Sequence, residues 1–196
     1  TNAANDQFLN DVESGANHTL IVWQDRHGTT GFDVYGAILN STGGIAVAPF
    51  AIAAATGDQN AASVAFDSTN NVFVVVWQDS RAGANERDIY AARVSTTGTV
   101  LDATGILVSA ATSSQLTPDI AFGNGRFMTV WDDRRNGNAD IYGARLRISG
   151  GALLVDDAAG IQYTTNTAKQ TAPSVAFTSQ NNNASGFVTA WSDERN

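Results

Sequence analysis

The stretch Trp131-Asp-Asp-Arg-Arg-Asn-Gly-Asn-Ala-Asp-Ile-Tyr-Gly-Ala-Arg145 decides the fold, because the chain repeats it. Each copy joins a Trp-x-Asp to a downstream Asp-(Ile or Val)-Tyr: Trp23 to Tyr35, Trp77 to Tyr90, and Trp131 to Tyr142. A further copy opens at Trp191-Ser-Asp-Glu-Arg195. The remaining sequence is best understood by its position relative to these copies.

The copies are evenly spaced, with 54 residues from Trp23 to Trp77, 54 from Trp77 to Trp131, and 60 from Trp131 to Trp191. A second marker stays in phase with them, because Gln7, Gln59, Gln115 and Gln170 each precede a Val or Ile by five residues. Self-similarity at such a period is typical of repeat architectures. It predicts repeats over 1–53, 54–109 and 110–164, followed by an incomplete repeat over 165–196.

Each repeat contains four short strand patterns. The second, Val72-Phe-Val-Val-Val-Trp77, is apolar at every position, which indicates a strand covered on both faces. A short pattern at Ser63-Val-Ala-Phe66 precedes it, and Asp88 to Val94 and then Ile106 to Val108 follow. Immunoglobulin-like sandwiches need about 100 residues for each unit. The pattern therefore predicts an all-β fold, a β-propeller with four-stranded blades, present as three full repeats and half of a fourth.

The signature itself is expected to be structural. We expect each Trp ring to lie over the small residues that follow the Tyr, such as Ala91-Ala92, in its own or a neighbouring blade. The Asp two residues after the Trp is expected to pair with the Arg four residues after it, or to cap the intervening turn. A residue type that every blade repeats is better suited to holding blades together than to binding a single ligand.

The motif Trp-x-Asp-x-Arg followed by Asp-Ile-Tyr-Gly-Ala-Arg resembles a repeat of large secreted or surface-anchored bacterial proteins that are expected to form propellers. That resemblance extends over essentially the whole chain and implies fold and location without an established chemistry. Val76-Trp-Gln-Asp79 is also distantly similar to the Tyr-Trp-Thr-Asp blades of lipoprotein-receptor propellers and to TolB-type blades. Sialidase Asp-boxes differ, because in them the Trp follows the Asp.

Composition limits the classes of partner. The net charge of −8 and the pI near 4.5 disfavour nucleic acid and anionic membrane surfaces. The longest apolar run, Val72 to Trp77, is too short to span a bilayer. The chain has no Cys and only one Lys, and its surface is rich in Ala, Thr, Asn and Gly. We expect an extracellular or cell-surface location.

Motifs for chemistry are few. His18 and His27 are the two histidines, and neither lies in a known catalytic motif. Oxygen ligands at Asp133, Asn136, Asn138 and Asp140 have spacings that a Ca²⁺ loop could use. Two Arg residues in the same loop favour Asp–Arg pairing instead, and no cofactor is expected.

The favoured functional prediction is a non-catalytic module that binds protein or glycan, or acts as a spacer or assembly unit, because no His or carboxylate departs from the repeat. The alternative is part of a propeller hydrolase that acts on polysaccharide. Binding residues are expected in the loops at one rim of the propeller: Asp79, Arg81, Asp133, Arg135, Gln59, Gln115 and Gln170.

The incomplete last repeat predicts an unpaired apolar strand near Gly186 to Trp191. We expect further residues of a longer chain to complete it, or two copies of this chain to associate through it.

Overall fold

The computed structural model describes residues 6–26, 31–83, 86–179 and 185–195, which form strands and turns. Its fifteen strands are β1 (Gln7–Gly15), β2 (His18–Asp25), β3 (Asp33–Asn40), β4 (Ile45–Ala53), β5 (Gln59–Asp67), β6 (Val72–Asp79), β7 (Asp88–Ser95), β8 (Ile106–Ser109), β9 (Gln115–Gly123), β10 (Arg126–Asp133), β11 (Asp140–Ser149), β12 (Ala152–Val155), β13 (Ile161–Gln162), β14 (Gln170–Ser179) and β15 (Ser185–Asp193). None of the described residues belongs to a helix that could cross a membrane.

The strands form four antiparallel sheets that follow one another along the chain. Strands β1 to β4 make the first sheet in sequence order, β5 to β8 the second, and β9 to β12 the third, in which β13 also pairs with β11. Strands β14 and β15 form a two-stranded fourth sheet. The first strands of the sheets, β1, β5, β9 and β14, are neighbours around a common axis. The molecule is thus a β-propeller segment of three blades and half of a fourth, as the sequence predicts.

The inner strands are longer than expected. They begin at the marker Gln residues, whereas the sequence pattern predicted a start near Ser63 in the second blade. A β-bulge between Asn60 and Ser63 separates the two halves of β5, and Ala61 within it has a φ of 51°. This bulge breaks the alternation of apolar residues, so the first half of the strand is hard to recognise.

The hydrophobic core lies between blades. One cluster joins Leu20, Val22 and Ile38 of the first blade to Phe73 and Trp77 of the second. A second cluster joins the other face of the second blade to the third, with Val74 and Val76 against Phe127, Trp131 and Leu146. Both faces of β6 are therefore covered, which explains its unbroken apolar sequence.

The two outermost faces lack such a neighbour among the described residues. Leu9 and Val12 on the first blade and Val188 on the half blade are all exposed. Val12 and Val188 lie at positions that are buried between blades elsewhere, at Val64 and Val74.

Candidate functional site

The repeated signature forms a buried polar network in the second and third blades. In the second blade, Trp77 Nε1 donates to Asp79 Oδ2 at 2.8 Å, and Arg81 Nη2 donates to the same oxygen at 2.6 Å. The Arg81 guanidinium lies 4.0 Å from the centre of the Tyr90 ring, which is a cation–π contact. In the third blade, Trp131, Asp133, Arg135 and Tyr142 are arranged in the same way. The predicted Asp–Arg pairing is thus observed.

Each buried Trp lies in the same core cluster as small residues of the third strands, Trp77 with Ala92 and Trp131 with Ala91 and Ala144. The ring also has a partner that the sequence did not predict. Trp77 stacks on Tyr90 across the strand pair, with ring centres 6.2 Å apart. Its outer edge meets Gly105, where an added Cβ would lie 3.0 Å from the indole. Gly143, the first small residue after Tyr142, lies under Tyr163 and the carbonyl of Thr129.

The proposed rim residues are mostly interior groups. The Asp and Gln side chains among them are fully buried: Asp79, Asp133, Gln59, Gln115 and Gln170. Gln115 Nε2, for example, donates to the carbonyls of Ala111 and Ser113. Of the seven residues, only Arg81 and Arg135 expose part of their side chains. The structure therefore makes these seven residues part of the packed scaffold of the propeller. His27, which follows Asp25 in the first copy, lies outside the described residues.

The candidate calcium loop is held together by other bonds. Both oxygens of Asp133 accept hydrogen bonds from Arg135, as the sequence favoured. Asn138 Nδ2 donates to the carbonyls of Asn166 and Ala168, and Asn136 Nδ2 donates to Asp140. Among the described residues, no three His, Asp or Glu side chains are grouped as metal ligands would be.

We expect chelation to leave the melting temperature unchanged, because Arg135 already neutralises Asp133. Thermal unfolding with EDTA and then with excess Ca²⁺ measures this, since a bound ion stabilises the folded state by mass action. A fall of several degrees with EDTA that Ca²⁺ restores would contradict it.

A second polar cluster lies on the propeller axis, where the inner strands meet. Ser63 Oγ is 2.9 Å from Asp11 Oδ2 and 2.8 Å from Asp119 Oδ1, so one hydroxyl lies within hydrogen-bond distance of two carboxylates from different blades. Ser174 Oγ is 3.0 Å from the second oxygen of Asp119. We call Asp11, Ser63, Asp119 and Ser174 the axial ladder.

The ladder is anchored by backbone donors. Val64 N donates to Asp11 at 2.9 Å, and Val175 N donates to Asp119 at 2.7 Å, in each case from the following blade. Both carboxylates are only partly buried. They line a cavity of about 350 Å³ whose other walls are small residues of the bulges, including Ala61, Ala62, Pro118 and Pro173. A pair of fixed carboxylates is thus presented to an open space.

Glu13 lies two residues beyond Asp11 on the same face of β1, which points toward the second blade. Gly15, the next residue on this face, confirms the direction, because a Cβ there would meet the ring of Phe66. Burial raises the pKa of Glu13, and the nearby charge of Asp11 raises it further. The axis therefore combines carboxylates held by donors with a carboxyl group whose pKa is raised.

Asp11, Asp119 and Glu13 were not predicted as site residues, because the prediction rested on the residues that all repeats share. Four residues after each marker Gln stand Asp11, Ser63, Asp119 and Ser174, which alternate between two residue types. Six residues after the marker stands Glu13 in the first repeat, where the others have Ala65, Ala121 and Ala176. The statement that no carboxylate departs from the repeat is therefore wrong.

Asp132 is a second carboxylate at a position where one blade differs from the others. In the first two blades the residue after the Trp is Gln, and its Oε1 accepts a bond from a bulge amide of the next blade: Gln24 from Ala61, and Gln78 from Thr117. Asp132 replaces this Gln, is 4% exposed, and has one oxygen without a hydrogen-bond partner. Burial raises the pKa of this carboxyl, and the hydrogen bond from Thr117 opposes the rise.

We expect Asp132→Gln to stabilise the protein by about 1 kcal/mol at neutral pH, because it removes a buried and incompletely bonded carboxylate. The folded-state pKa of Asp132 is raised, so its ionisation costs stability as the pH rises through that pKa. The gain should therefore vanish below the usual pKa of an Asp. Urea unfolding at several pH values measures it, and Gln78→Asp is the reciprocal control, expected to destabilise. A gain that is independent of pH would contradict this interpretation.

The sequence matches no protein-family model and no curated protein. Solved structures of similar fold do exist. An arabinanase of Bacillus subtilis is 13% identical with a TM-score of 0.54, over 94% of this chain and 72% of that one. An endo-arabinase of Bacteroides thetaiotaomicron is 14% identical with a TM-score of 0.56, over 92% and 73%.

An N-acetylgalactosamine deacetylase of F. plautii is 9% identical with a TM-score of 0.53, over 89% of this chain. This chain spans 59% of the length of that enzyme. All three structures are of enzymes that act on sugars, which corrects the expectation of a non-catalytic binding or spacer module. At such identities the likeness itself concerns the fold.

Proposed function

We propose that this chain is part of a propeller enzyme that hydrolyses glycosidic bonds of a polysaccharide, with its chemistry at the axial ladder. The observation that carries the proposal is the pair Asp11 and Asp119, fixed from two blades on one serine hydroxyl and facing a cavity. The related folds of sugar-cleaving enzymes support the choice of substrate. We include an extracellular location in the proposal, because polysaccharide substrates occur outside the cell.

The proposed roles follow from the environment of each carboxyl group. Glycoside hydrolysis passes through a transition state with positive charge on the sugar ring, which fixed carboxylates stabilise. Asp11 and Asp119 are suited to this role, because backbone N–H groups hold them in place. One of them activates the attacking water. Glu13, whose pKa is raised, is suited to give a proton to the departing sugar oxygen.

A panel of polysaccharides tests the proposal. The chain is incubated with arabinan, arabinoxylan, agarose and starch, and the release of reducing ends is measured. We expect release from at least one polymer, and from arabinan first, because two of the similar folds act as arabinanases. Binding without release on the whole panel, at any pH from 4 to 8, would contradict hydrolysis.

The pH profile is a further part of this test. Because the pKa of Glu13 is raised, hydrolysis should fall as the pH rises through that pKa and Glu13 loses its proton. Glu13→Gln should abolish this fall at alkaline pH, the alkaline limb of the profile, together with most of the activity. An unchanged limb in this variant would remove Glu13 from the proposed machinery.

A further inference from the structure

The hydroxyl of Ser63 lies between two carboxylates but carries a single hydrogen. Its oxygen is 2.9 Å from Asp11 Oδ2 and 2.8 Å from Asp119 Oδ1, and both distances are ordinary for an O–H···O hydrogen bond. A serine hydroxyl has one hydrogen to donate, although its oxygen can also accept. While both carboxylates are ionised, one of the two contacts therefore has no hydrogen in it.

Asp119 has several donors besides Ser63. Its Oδ1 accepts from Ile120 N at 3.0 Å. Its Oδ2 accepts from Val175 N at 2.7 Å and from Ser174 Oγ at 3.0 Å, both in the following blade. Each oxygen of this carboxylate thus has a donor without the hydrogen of Ser63.

Asp11 needs Ser63 to complete the same arrangement. Its Oδ1 accepts from Val12 N at 2.8 Å, and its Oδ2 accepts from Val64 N at 2.9 Å. At Asp119 the corresponding oxygen also binds the serine hydroxyl of the following blade, and at Asp11 that hydroxyl is Ser63. With the hydrogen of Ser63 on Asp11, each carboxylate accepts three hydrogen bonds. The contact between Ser63 Oγ and Asp119 Oδ1 is then the one that lacks a hydrogen.

Given the hydrolysis proposed above, we propose that Asp119 takes the proton of the attacking water and that Ser63 is a positioning residue which accepts a hydrogen bond from the resulting carboxylic acid. The proton on Asp119 Oδ1 supplies the hydrogen that the 2.8 Å contact lacks. A bond that forms only as the proton moves stabilises the transition state more than the bound substrate. The two carboxylates therefore have different roles, and Asp11 stays ionised beside the sugar.

The proposed step balances. The water oxygen forms a bond to the anomeric carbon, one O–H bond of the water breaks, and that proton goes to Asp119. The bond between the anomeric carbon and the glycosidic oxygen breaks, and this oxygen takes the proton of Glu13. Asp119 then loses its proton to solvent and Glu13 regains one, which restores the starting state.

Replacing Ser63 by Ala tests the role of the hydroxyl. We expect kcat to fall about tenfold, because the acid form of Asp119 loses its acceptor, and KM to change less than about twofold. Ser63→Thr keeps a hydroxyl and should retain most of the rate. Ser95→Ala is the matched control, because it removes a serine hydroxyl from the turn after β7 and should leave the rate unchanged. Initial rates of reducing-end release and thermal unfolding are measured for each variant.

The same substitution in two further backgrounds identifies the partner of Ser63. In Asp119→Asn the residue at 119 has no carboxylate to protonate, so the additional Ser63→Ala change should have no further effect on kcat. In Asp11→Asn the tenfold loss should persist. Disappearance of the loss with Asp11→Asn instead would mean that Asp11 takes the proton.

An equal loss in both backgrounds, no loss at all, or a Ser63→Thr chain as slow as Ser63→Ala would also overturn the assignment. Each of these results, obtained with a chain that cleaves a polysaccharide, contradicts the assignment and leaves the proposed hydrolysis intact. A folded, unchanged chain that cleaves none of the polymers removes both.

Discussion

Replacing Asp119 by Asn is expected to lower the rate of polysaccharide cleavage by at least about 100-fold. Asp119 faces the axial cavity and links two blades through Ser63 and Ser174. Asn has nearly the same shape and keeps one acceptor oxygen, which can still accept from Val175 N. It lacks the negative charge that would stabilise the transition state. The variant should therefore lose activity while the chain remains folded.

Asp157→Asn is the matched control, because it makes the same substitution in a carboxylate that pairs with Arg145 on the surface. Its activity should equal that of the unchanged chain. Initial rates of reducing-end release and thermal unfolding curves are compared for both variants. An Asp119→Asn protein with full activity would show that the carboxylate serves only to join blades.

Trp77→Ala is expected to lower the free energy of unfolding by about 3–5 kcal/mol, as for other large aromatic residues in packed cores. Trp77 is fully buried in the cluster between the first two blades, and its removal also leaves Asp79 without the indole donor. Urea denaturation measures the change. Trp191→Ala removes the same side chain from the partly buried position in β15, and we expect a much smaller loss there.

Equal losses at the two positions would contradict the description of the half blade, because they would mean that Trp191 is covered as completely as Trp77. A loss below about 1 kcal/mol at Trp77 would mean that this ring is exposed and available as a binding platform.

The architecture could be predicted because it depends on residues that recur. The 54-residue spacing of the Trp residues sets the blade, and the apolar run at Val72 to Trp77 shows that both blade faces are buried. The pairing of Asp79 with Arg81 followed from their separation and charge. Stacking of Trp77 on Tyr90 was not predicted, because it depends on the strand register.

The bulges of the inner strands were hidden for a different reason. Their positive-φ positions are occupied by Ala61, Thr117 and Ala172, where a Gly or Asn would have signalled the conformation. Gln24, Gln78 and Asp132 support these positions from the preceding blade, a contact between residues far apart in sequence. Only the structure brings them together.

The candidate site escaped prediction because it consists of differences between repeats. Asp11 and Asp119 alternate with serines, and Glu13 replaces an alanine. Residues common to all repeats form the frame, whereas chemistry at a shared axis needs positions where individual blades differ. The fully buried Gln59 illustrates the first class, since it bonds to its own blade and to no open space.

The position of a bound oligosaccharide tests most directly the claim that the chemistry lies at the axis. A crystal of the Asp119→Asn chain, soaked with an oligosaccharide of the polymer that the unchanged chain cleaves, gives this position. The account predicts a sugar ring in the axial cavity, in contact with Asp11 and with the residue at 119. A sugar bound instead at the rim, against Arg81 or Arg135, would contradict it.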